Sequence, residues 1–303
     1  MAHPTLGEVL LVANPRAGTG TRSAAELTAR LLADRGIRTR TAVTAGPADA
    51  TAIASEAARG GVGLVVAVGG DGTVHEVVNG LPRDGSGPVL GVVPAGSGCD
   101  LVRTFGLDRP VEVLVRHLAS PHTTPLDLVR TTFVGPGGDE VVRYAANAVE
   151  VGFGGTVAAV AARLPRRLGP ARYRVGIVAA WGAFRRVEMR VRHDGGEHEG
   201  RLCNVVVANG QFFGGGLKVA PRALPDDGRL DVQAWGGTPT DVVRAARLLR
   251  DGSHLQRPDV RAWSSGSVTI ETETPVRVEA DGEPLGRTPV TCTALRGAVR
   301  LKV

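Results

Sequence analysis

The stretch Val65-Val66-Ala67-Val68-Gly69-Gly70-Asp71-Gly72-Thr73-Val74-His75-Glu76-Val77-Val78-Asn79-Gly80 constrains the fold of this 303-residue chain more than any other. Its first four residues are apolar and mostly β-branched, the signature of a buried strand. Three glycines then crowd around Asp71. Val74, Val77 and Val78 fall at helical spacing, and Gly80 supplies a stop. The reading is strand, glycine turn, helix. A helix N-terminus offers unpaired N–H groups and a positive dipole end, and glycines let a phosphate approach the backbone. Asp71 is out of place in a bare phosphate cradle, because a carboxylate repels phosphate. It fits if a metal ion lies between the two, or if Asp71 takes a proton from an attacking hydroxyl. The plainer alternative is an ordinary βα turn in which Asp71 caps its own helix.

The preceding residues repeat this grammar. Glu8–Ala13 reads as a strand, Asn14 to Gly20 as a polar glycine turn, and Ala24, Leu27, Leu31 and Leu32 as one face of a helix. A strand over Arg38–Val43 and a helix over Asp49–Arg59, ended by Gly60-Gly61, come next. Val89–Val93 forms a fourth strand, closed by Pro94-Ala95-Gly96-Ser97-Gly98-Cys99-Asp100. Such alternation means a parallel sheet with helices on both faces, and its turns gather at the carboxyl edge, where open α/β sheets bind ligands.

The pattern changes near Leu126. Short strand-like runs follow at 146–151, 187–192, 204–208, 230–234, 268–271, 276–280 and 298–303, punctuated by Gly, Pro and Asp. Helical insertions interrupt them at 156–164, 173–184 and 240–249. An antiparallel sandwich or barrel is expected. The expected division is therefore 1–125, an α/β domain, and 126–303, a β-rich domain.

Several alternatives are excluded by what is missing. There is no G-x-x-x-x-G-K-[ST] loop, no H-R-D or D-F-G kinase signature, and no G-x-G-x-x-G in the first turn. The net charge of +6 comes almost wholly from arginine, with Lys218 and Lys302 the two lysines among 36 basic residues. With abundant Ala, Gly and Val, this skew reflects a GC-rich genome rather than nucleic-acid binding, though it suits anionic membrane surfaces or phosphorylated ligands. Three widely spaced cysteines, Cys99, Cys203 and Cys292, build neither a disulfide framework nor a zinc site. No signal peptide is expected, and no apolar run reaches bilayer length. The expectation is a cytoplasmic protein that docks peripherally on the inner membrane surface.

Taken together, the motifs resemble the diacylglycerol kinase catalytic domain, a family that includes bacterial soluble lipid kinases and sphingosine and ceramide kinases. The likeness rests on Asn14-Pro15-x-x-Gly18, Gly69-Gly70-Asp71-Gly72-Thr73 and Pro94-x-Gly96-Ser97-Gly98-x-Asp100. It continues through Asn209-Gly210-x-x-x-Gly214-Gly215-Gly216, Ala220-Pro221, Asp226-Asp227-Gly228-x-Leu230-Asp231 and Asp281-Gly282-Glu283. It covers nearly the whole chain in family order. The resemblance implies an NAD-kinase-like α/β domain, a β-sandwich domain, and ATP bound in the cleft between them. By position, ATP would touch Asn14, Thr44, Gly70, Asp71, Gly72, Thr73, Val74, His75, Glu76 and Ser97. Asp227 would bind magnesium with the carbonyls of Leu224 and Arg229, and Asp71 and Asp100 would reach that metal through water. Glu283 would accept the proton of the acceptor hydroxyl, with Asp71 as the other catalytic carboxylate. Such a set suits magnesium, which keeps several waters, and phosphoryl transfer, which rests on positioning and charge neutralisation.

The implied reaction is transfer of the γ-phosphate of ATP to a lipid hydroxyl, diacylglycerol first, giving phosphatidic acid. A sphingoid base, phosphatidylglycerol or a non-lipid alcohol are alternative acceptors. A catalytically inactive nucleotide-binding regulator is the alternative of another class, and a homodimer is left open. NAD kinase fits the third motif and the D-G-E ending poorly. The chain departs from the family at Cys99 and His75, where Asn is usual, and at Ser97, where Thr is commoner. Cys99 cannot make two amide hydrogen bonds, which implies a changed network around Asp100 and a variant acceptor or reduced activity.

Other residues carry plainer readings. His75 reads as a surface or nucleotide-side residue rather than a base, Cys203 as core, and Asp226 as a turn residue. The run Arg163, Arg166, Arg167, Arg172 and Arg174 meets anionic headgroups or forms a solvated face. The apolar segment 175–184 packs as core or lines an acyl-chain pocket.

Overall fold

The computed structural model describes residues 7–96, 99–165, 168 and 171–303. The chain divides into two compact units, Met1–Leu128 with Leu295–Val303, and Val129–Ala294.

The first unit holds β1 (Val9–Ala13), α1 (Thr21–Ala33), β2 (Thr39–Val43), α2 (Asp49–Arg59), β3 (Leu64–Gly69), α3 (Asp71–Gly80), β4 (Val89–Pro94), α4 (Asp100–Thr104) and α5 (Val111–Ala119), and the chain leaves it along β5 (Thr123–Val134). β1 pairs in parallel with β2 and β3, and β3 with β4. Every residue of β1 and β3 is buried, as a parallel strand covered on both faces requires. Val9, Leu11 and Ala13 of β1 and Leu64, Val66 and Val68 of β3 pack with Ala25 and Leu32 of α1 and Val115 and Leu118 of α5. The intervening residues serve the other face, where α2 meets β1 and α3 meets β3. Gly80 closes α3 as expected, but for a packing reason. A Cβ there would lie 2.3 Å from the Thr51 carbonyl oxygen of α2.

The second unit is built from β6 (Glu140–Ala145), β7 (Ala148–Gly152), α6 (Phe153–Arg163), α7 (Ala171–Ala183), β8 (Val187–His193), β9 (Gly196–Leu202), β10 (Asn204–Ala208), β11 (Leu230–Trp235), α8 (Pro239–Arg244), β12 (Val260–Ser265), β13 (Ser267–Thr272), β14 (Arg277–Ala280) and β15 (Glu283–Lys302). Pairing is antiparallel through β12-β11-β10-β7-β14-β15, with β13 joining β15 to the β8–β9 hairpin. One apolar core fills this β-sandwich, from Val149 and Val151 through Val205 and Val207 to Met189, Ile270 and Val278. Thr238 and Asp241 form a reciprocal capping box at α8, with Pro239 in the first turn.

Two features depart from the expected layout. Leu295–Val303 belongs to the α/β unit, where Leu301 pairs in parallel with Leu90 of β4. Several strands were also not anticipated, among them β5, β6, β9 and β12. β9 reads Gly-Glu-His-Glu-Gly-Arg-Leu, with Glu197, Glu199 and Arg201 on its exposed face and only Leu202 as a large apolar residue on the other. It is held by its β8 partner and by the cross-strand Arg190–Glu199 ion pair rather than by apolar alternation.

Candidate functional site

Three glycine turns meet at the carboxyl ends of β1, β3 and β4. A Cβ on Gly96 would stand 3.1 Å from both the nitrogen and the Cα of Gly70, and one on Gly18 would stand 2.7 Å from the Ala95 carbonyl oxygen. The turns are therefore stacked backbone on backbone. Cross-turn hydrogen bonds hold them, from Ala95 N–H to the Gly69 carbonyl at 2.9 Å and from Asn14 N–H to the Val68 carbonyl at 3.2 Å. Asn14 organises its own turn, its Oδ1 accepting the Arg16 N–H at 3.0 Å. Thr44, at the end of β2, is buried and donates its N–H to the Ala13 carbonyl. Gly69 is fixed by Thr73, whose Oγ1 would lie 2.3 Å from an added Cβ. Gly70 takes an extended conformation, and its carbonyl accepts the N–H groups of Thr73 and Val74 to open α3.

Asp71 does not cap its own helix. Its Oδ1 accepts the Asp100 N–H at 2.7 Å and so serves the start of α4. The second and third motifs are thereby joined by one charge-assisted hydrogen bond. Asp100 is 2% exposed, and its Oδ1 lies 3.5 Å from Arg103 Nε, while Arg103 also pairs with Asp108 at 3.0 Å. Cys99 is buried, and desolvation followed by the Asp71 charge pushes its thiol far above the ordinary range, so it is neutral and unreactive. At this position the chain buries a neutral thiol beside the Asp71 carboxylate that takes the Asp100 N–H.

His75 is 7% exposed, which corrects its reading as a surface residue. Asn79 Nδ2 donates to its carbonyl at 2.8 Å. Glu76, expected beside the nucleotide, directs Oε2 to the Ala50 N–H at 3.1 Å, within the first turn of α2. Val74 is buried, so it offers backbone rather than side chain, and Gly72 lies in the first turn of α3. Ser97 lies outside the described residues.

In the second unit, Leu224, Asp227 and Arg229 line one cavity of about 130 Å³, together with Asp231. Asp227 is exposed, and its Oδ1 accepts the Arg229 N–H at 2.8 Å. The Arg229 guanidinium is engaged by Ser264, at 2.7 Å to Oγ and 2.8 Å to the carbonyl. Magnesium takes hard oxygen ligands, and the Asp227 carboxylate is one such group at this cavity. Among the described residues no cluster of three or more His, Cys, Asp or Glu side chains gathers as a metal site. Asp226 is an exposed turn residue and Cys203 is buried core.

Asp281-Gly282 forms a two-residue hairpin turn, with φ of 49° and 87°, between Ala280 and Glu283. Positive φ at both positions is what a tight hairpin of this hand needs. The Asp281 carboxylate accepts the N–H groups of Ala146, Asn147 and Ala148 at 2.9, 2.9 and 3.0 Å. Asn209 is fully buried and donates to the Ala146 carbonyl at 2.9 Å, which secures the same segment. Glu283 follows, exposed. Asn147, Glu150, Asn204 and Glu279 around this turn were missed from sequence, where each sits unmarked inside a strand-like run.

The fold and these turns have close counterparts. Residues 8–131 match the diacylglycerol kinase catalytic domain and residues 147–303 the YegS C-terminal NAD kinase beta sandwich-like domain. The chain belongs to the diacylglycerol kinase catalytic-domain family. A probable lipid kinase, YegS-like, from Chromohalobacter salexigens is 32% identical over 267 residues, covering 84% of this chain and 80% of its own. A putative diacylglycerol kinase from Bacillus anthracis str. Sterne has a solved structure with a TM-score of 0.78 at 26% identity, covering 97% of this chain and 96% of that one. Yeast NADH kinase, solved with NADH, shares the fold at a TM-score of 0.51 and 12% identity, covering 97% and 82%. The family's members are phosphotransferases with an alcohol acceptor, and this chain is a lipid kinase of that kind.

Proposed function

We propose that this lipid kinase transfers the γ-phosphate of ATP, with magnesium, to the hydroxyl of diacylglycerol, giving phosphatidic acid. The observation that carries the reading is the Asp71–Asp100 hydrogen bond within a cradle of touching glycines. It ties the Asp71 carboxylate to the backbone at the start of α4, beside turns stacked backbone on backbone, an arrangement that would favour a polyphosphate when a cation neutralises it. The backbone from Gly70 to Glu76, with Asn14, Thr44 and Ser97, would hold the nucleotide. Asp71 and Asp100 would act through a metal ion rather than touch phosphate. Asp227, with the carbonyls of Leu224 and Arg229, would hold magnesium. Bound there, the ion would supply charge neutralisation for the transferring phosphoryl group. Glu283 would take the proton of the attacking hydroxyl.

A lipid acceptor is supported by the surface of α7. Residues 151–187 contain seven arginines and no Asp, Glu or Lys. Within this stretch Val178 is 67% exposed and Trp181 43%, with Leu168 and Val175 also exposed. Ala180 and Phe184 are buried, so the segment packs by one face and presents the other. Exposed apolar side chains and a tryptophan amid arginines suit the interface of an anionic bilayer. The side chains of Arg172 and Arg174, and residues Arg166 and Arg167 altogether, lie outside what is described. No helix among the described residues is long and apolar enough to span a membrane. The proposed location is the cytoplasm, with peripheral docking on the inner membrane surface.

The deciding experiment offers the pure protein γ-labelled ATP, magnesium and micelles of diacylglycerol, sphingosine or phosphatidylglycerol, with glycerol as a soluble control. The expected product is labelled phosphatidic acid. Label on another acceptor would reassign the substrate, and ATP binding without transfer to any of them would point to a regulator.

A further inference from the structure

The mechanism above leaves unused a pair of acidic side chains next to the Asp281-Gly282 turn. Glu150 of β7 and Glu279 of β14 are direct cross-strand partners. Glu279 is 5% exposed. Its Oε2 accepts the Gly282 N–H at 2.6 Å, and its carboxyl is hydrogen-bonded to Glu150. Glu150 Oε1 accepts from Asn204 Nδ2 at 2.8 Å, and Asn204 Oδ1 accepts the Gly154 N–H at 3.0 Å in the first turn of α6. A Cβ on Gly154 would lie 2.5 Å from the Glu150 carboxyl carbon, so that side chain fills the space a side chain at Gly154 would need.

Among the described residues, the groups facing Glu279 are Glu150 from β7 and Asp281 and the Gly282 N–H from the turn. Those facing Glu150 are Glu279, Asn204 from β10 and Gly154 from α6. None is a cation. Two neighbouring carboxylates without a cation cannot both stay ionised. The N-terminus of α6 favours charge on Glu150, which leaves the proton on Glu279. Burial first, then the Glu150 charge, holds the Glu279 carboxyl well above its usual range, and burial raises Glu150 as well. Glu279 then donates to Glu150 with one oxygen and accepts from Gly282 with the other.

We propose that the hydrogen-bonded Glu150–Glu279 pair is a positioning device, which clamps the Gly282 N–H and thereby sets where Glu283 stands. The inference rests on the reading of Glu283 as the proton acceptor. Neither residue of the pair touches substrate. A second clamp, Asp281 on the 146–148 segment, holds the turn from its other side.

The test compares Glu279→Gln, which keeps one donor and one acceptor but cannot ionise, with Glu279→Leu, which keeps neither. Turnover is read with ATP-magnesium and dioctanoylglycerol in mixed micelles, and Gly282 amide exchange is read without substrate. Glu279→Gln should hold kcat within about twofold of wild type. Glu279→Leu should lose roughly tenfold or more, the cost of a small misplacement of a reacting group, with KM for ATP unchanged and the Gly282 amide exchanging faster. Unchanged kcat and exchange in Glu279→Leu would overturn the proposal, as would a Glu279→Gln variant as poor as the leucine one. Should Glu279→Leu fail to fold, stability against pH decides. A raised carboxyl contributes stability that is lost as pH climbs from the unfolded value through the folded one. Wild type should lose more stability across that window than Glu279→Gln, which keeps only the Glu150 contribution, and parallel curves would refute the shared proton. A Glu283→Gln variant with normal turnover would defeat the reading of Glu283 alone, because exchange and pH dependence report on the turn without chemistry.

Discussion

The two units fix their functional turns by different physics. In the α/β unit, the Gly18, Gly70 and Gly96 turns are held by direct backbone contact, where a Cβ on Gly18 would clash and one on Gly96 would be crowded against Gly70. In the β-sandwich unit, the Asp281-Gly282 turn is held by carboxyl groups that accept backbone N–H groups, three on Asp281 and one on Glu279. Steric fit does not titrate, and it leaves backbone N–H groups near the surface for a ligand. Carboxylate clamps are stronger per contact but depend on protonation and charge. The proposed phosphate cradle relies mainly on the first device, and its one carboxylate clamp, Asp71 on the Asp100 N–H, would need a cation to offset its charge. A turn proposed to present Glu283 as a base suits the second.

Each half of that contrast can be broken separately. The largest effect belongs to Asp71, the carboxylate placed within the steric cradle. Asp71→Asn should leave the fold intact and lower turnover by about a thousandfold, within the range of a lost acid–base or metal-linked group. Steady-state kinetics beside a circular dichroism melt checks this, and near-normal turnover would remove Asp71 from the mechanism. Next comes Asp227→Ala, which should raise the magnesium needed for half-maximal activity by at least about tenfold, with partial recovery in excess magnesium. Equal magnesium affinity by calorimetry would return the Asp226–Gly228 segment to a plain surface turn. Gly18→Ala sharpens the steric half. Its Cβ meets the Ala95 carbonyl oxygen, and overpacking of this kind costs about 1–3 kcal/mol. KM for ATP should rise while magnesium affinity stays unchanged. The smallest effect is expected from Asp281→Asn. Asparagine tolerates the positive φ but has one acceptor oxygen in place of two. The variant should lose about 1–3 kcal/mol by chemical denaturation, with the loss independent of ATP.

The sequence made the α/β unit legible because its signals are local. An apolar run, a glycine turn and an amphipathic helix each announce themselves within a few residues, and β1, β3, α2 and α3 lie close to where periodicity puts them. The sandwich was legible as a class but not strand by strand. β9 carries no apolar stripe, and the pairing of Leu301 with Leu90 depends on a partner more than two hundred residues away. The candidate site divided in the same way. Asp71, Asp227 and Glu283 stand in glycine turns that can be read directly. That Asp71 serves α4, that Glu76 serves α2, and that Glu279 grips Gly282 are facts of tertiary contact. Nothing in the local pattern distinguishes Glu150 or Glu279 from any other polar residue alternating along a strand.

In the proposed mechanism the cradle binds ATP while a separate carboxylate, Glu283, drives transfer to a lipid hydroxyl. The most direct test is single-turnover transfer from γ-labelled ATP to diacylglycerol by wild type and Glu283→Gln, with ATP affinity measured on the same preparations. Wild type should yield labelled phosphatidic acid, Glu283→Gln should lose about a hundredfold or more, and both should bind ATP equally. Transfer at the wild-type rate by Glu283→Gln, or a loss explained wholly by weaker ATP binding, would contradict it.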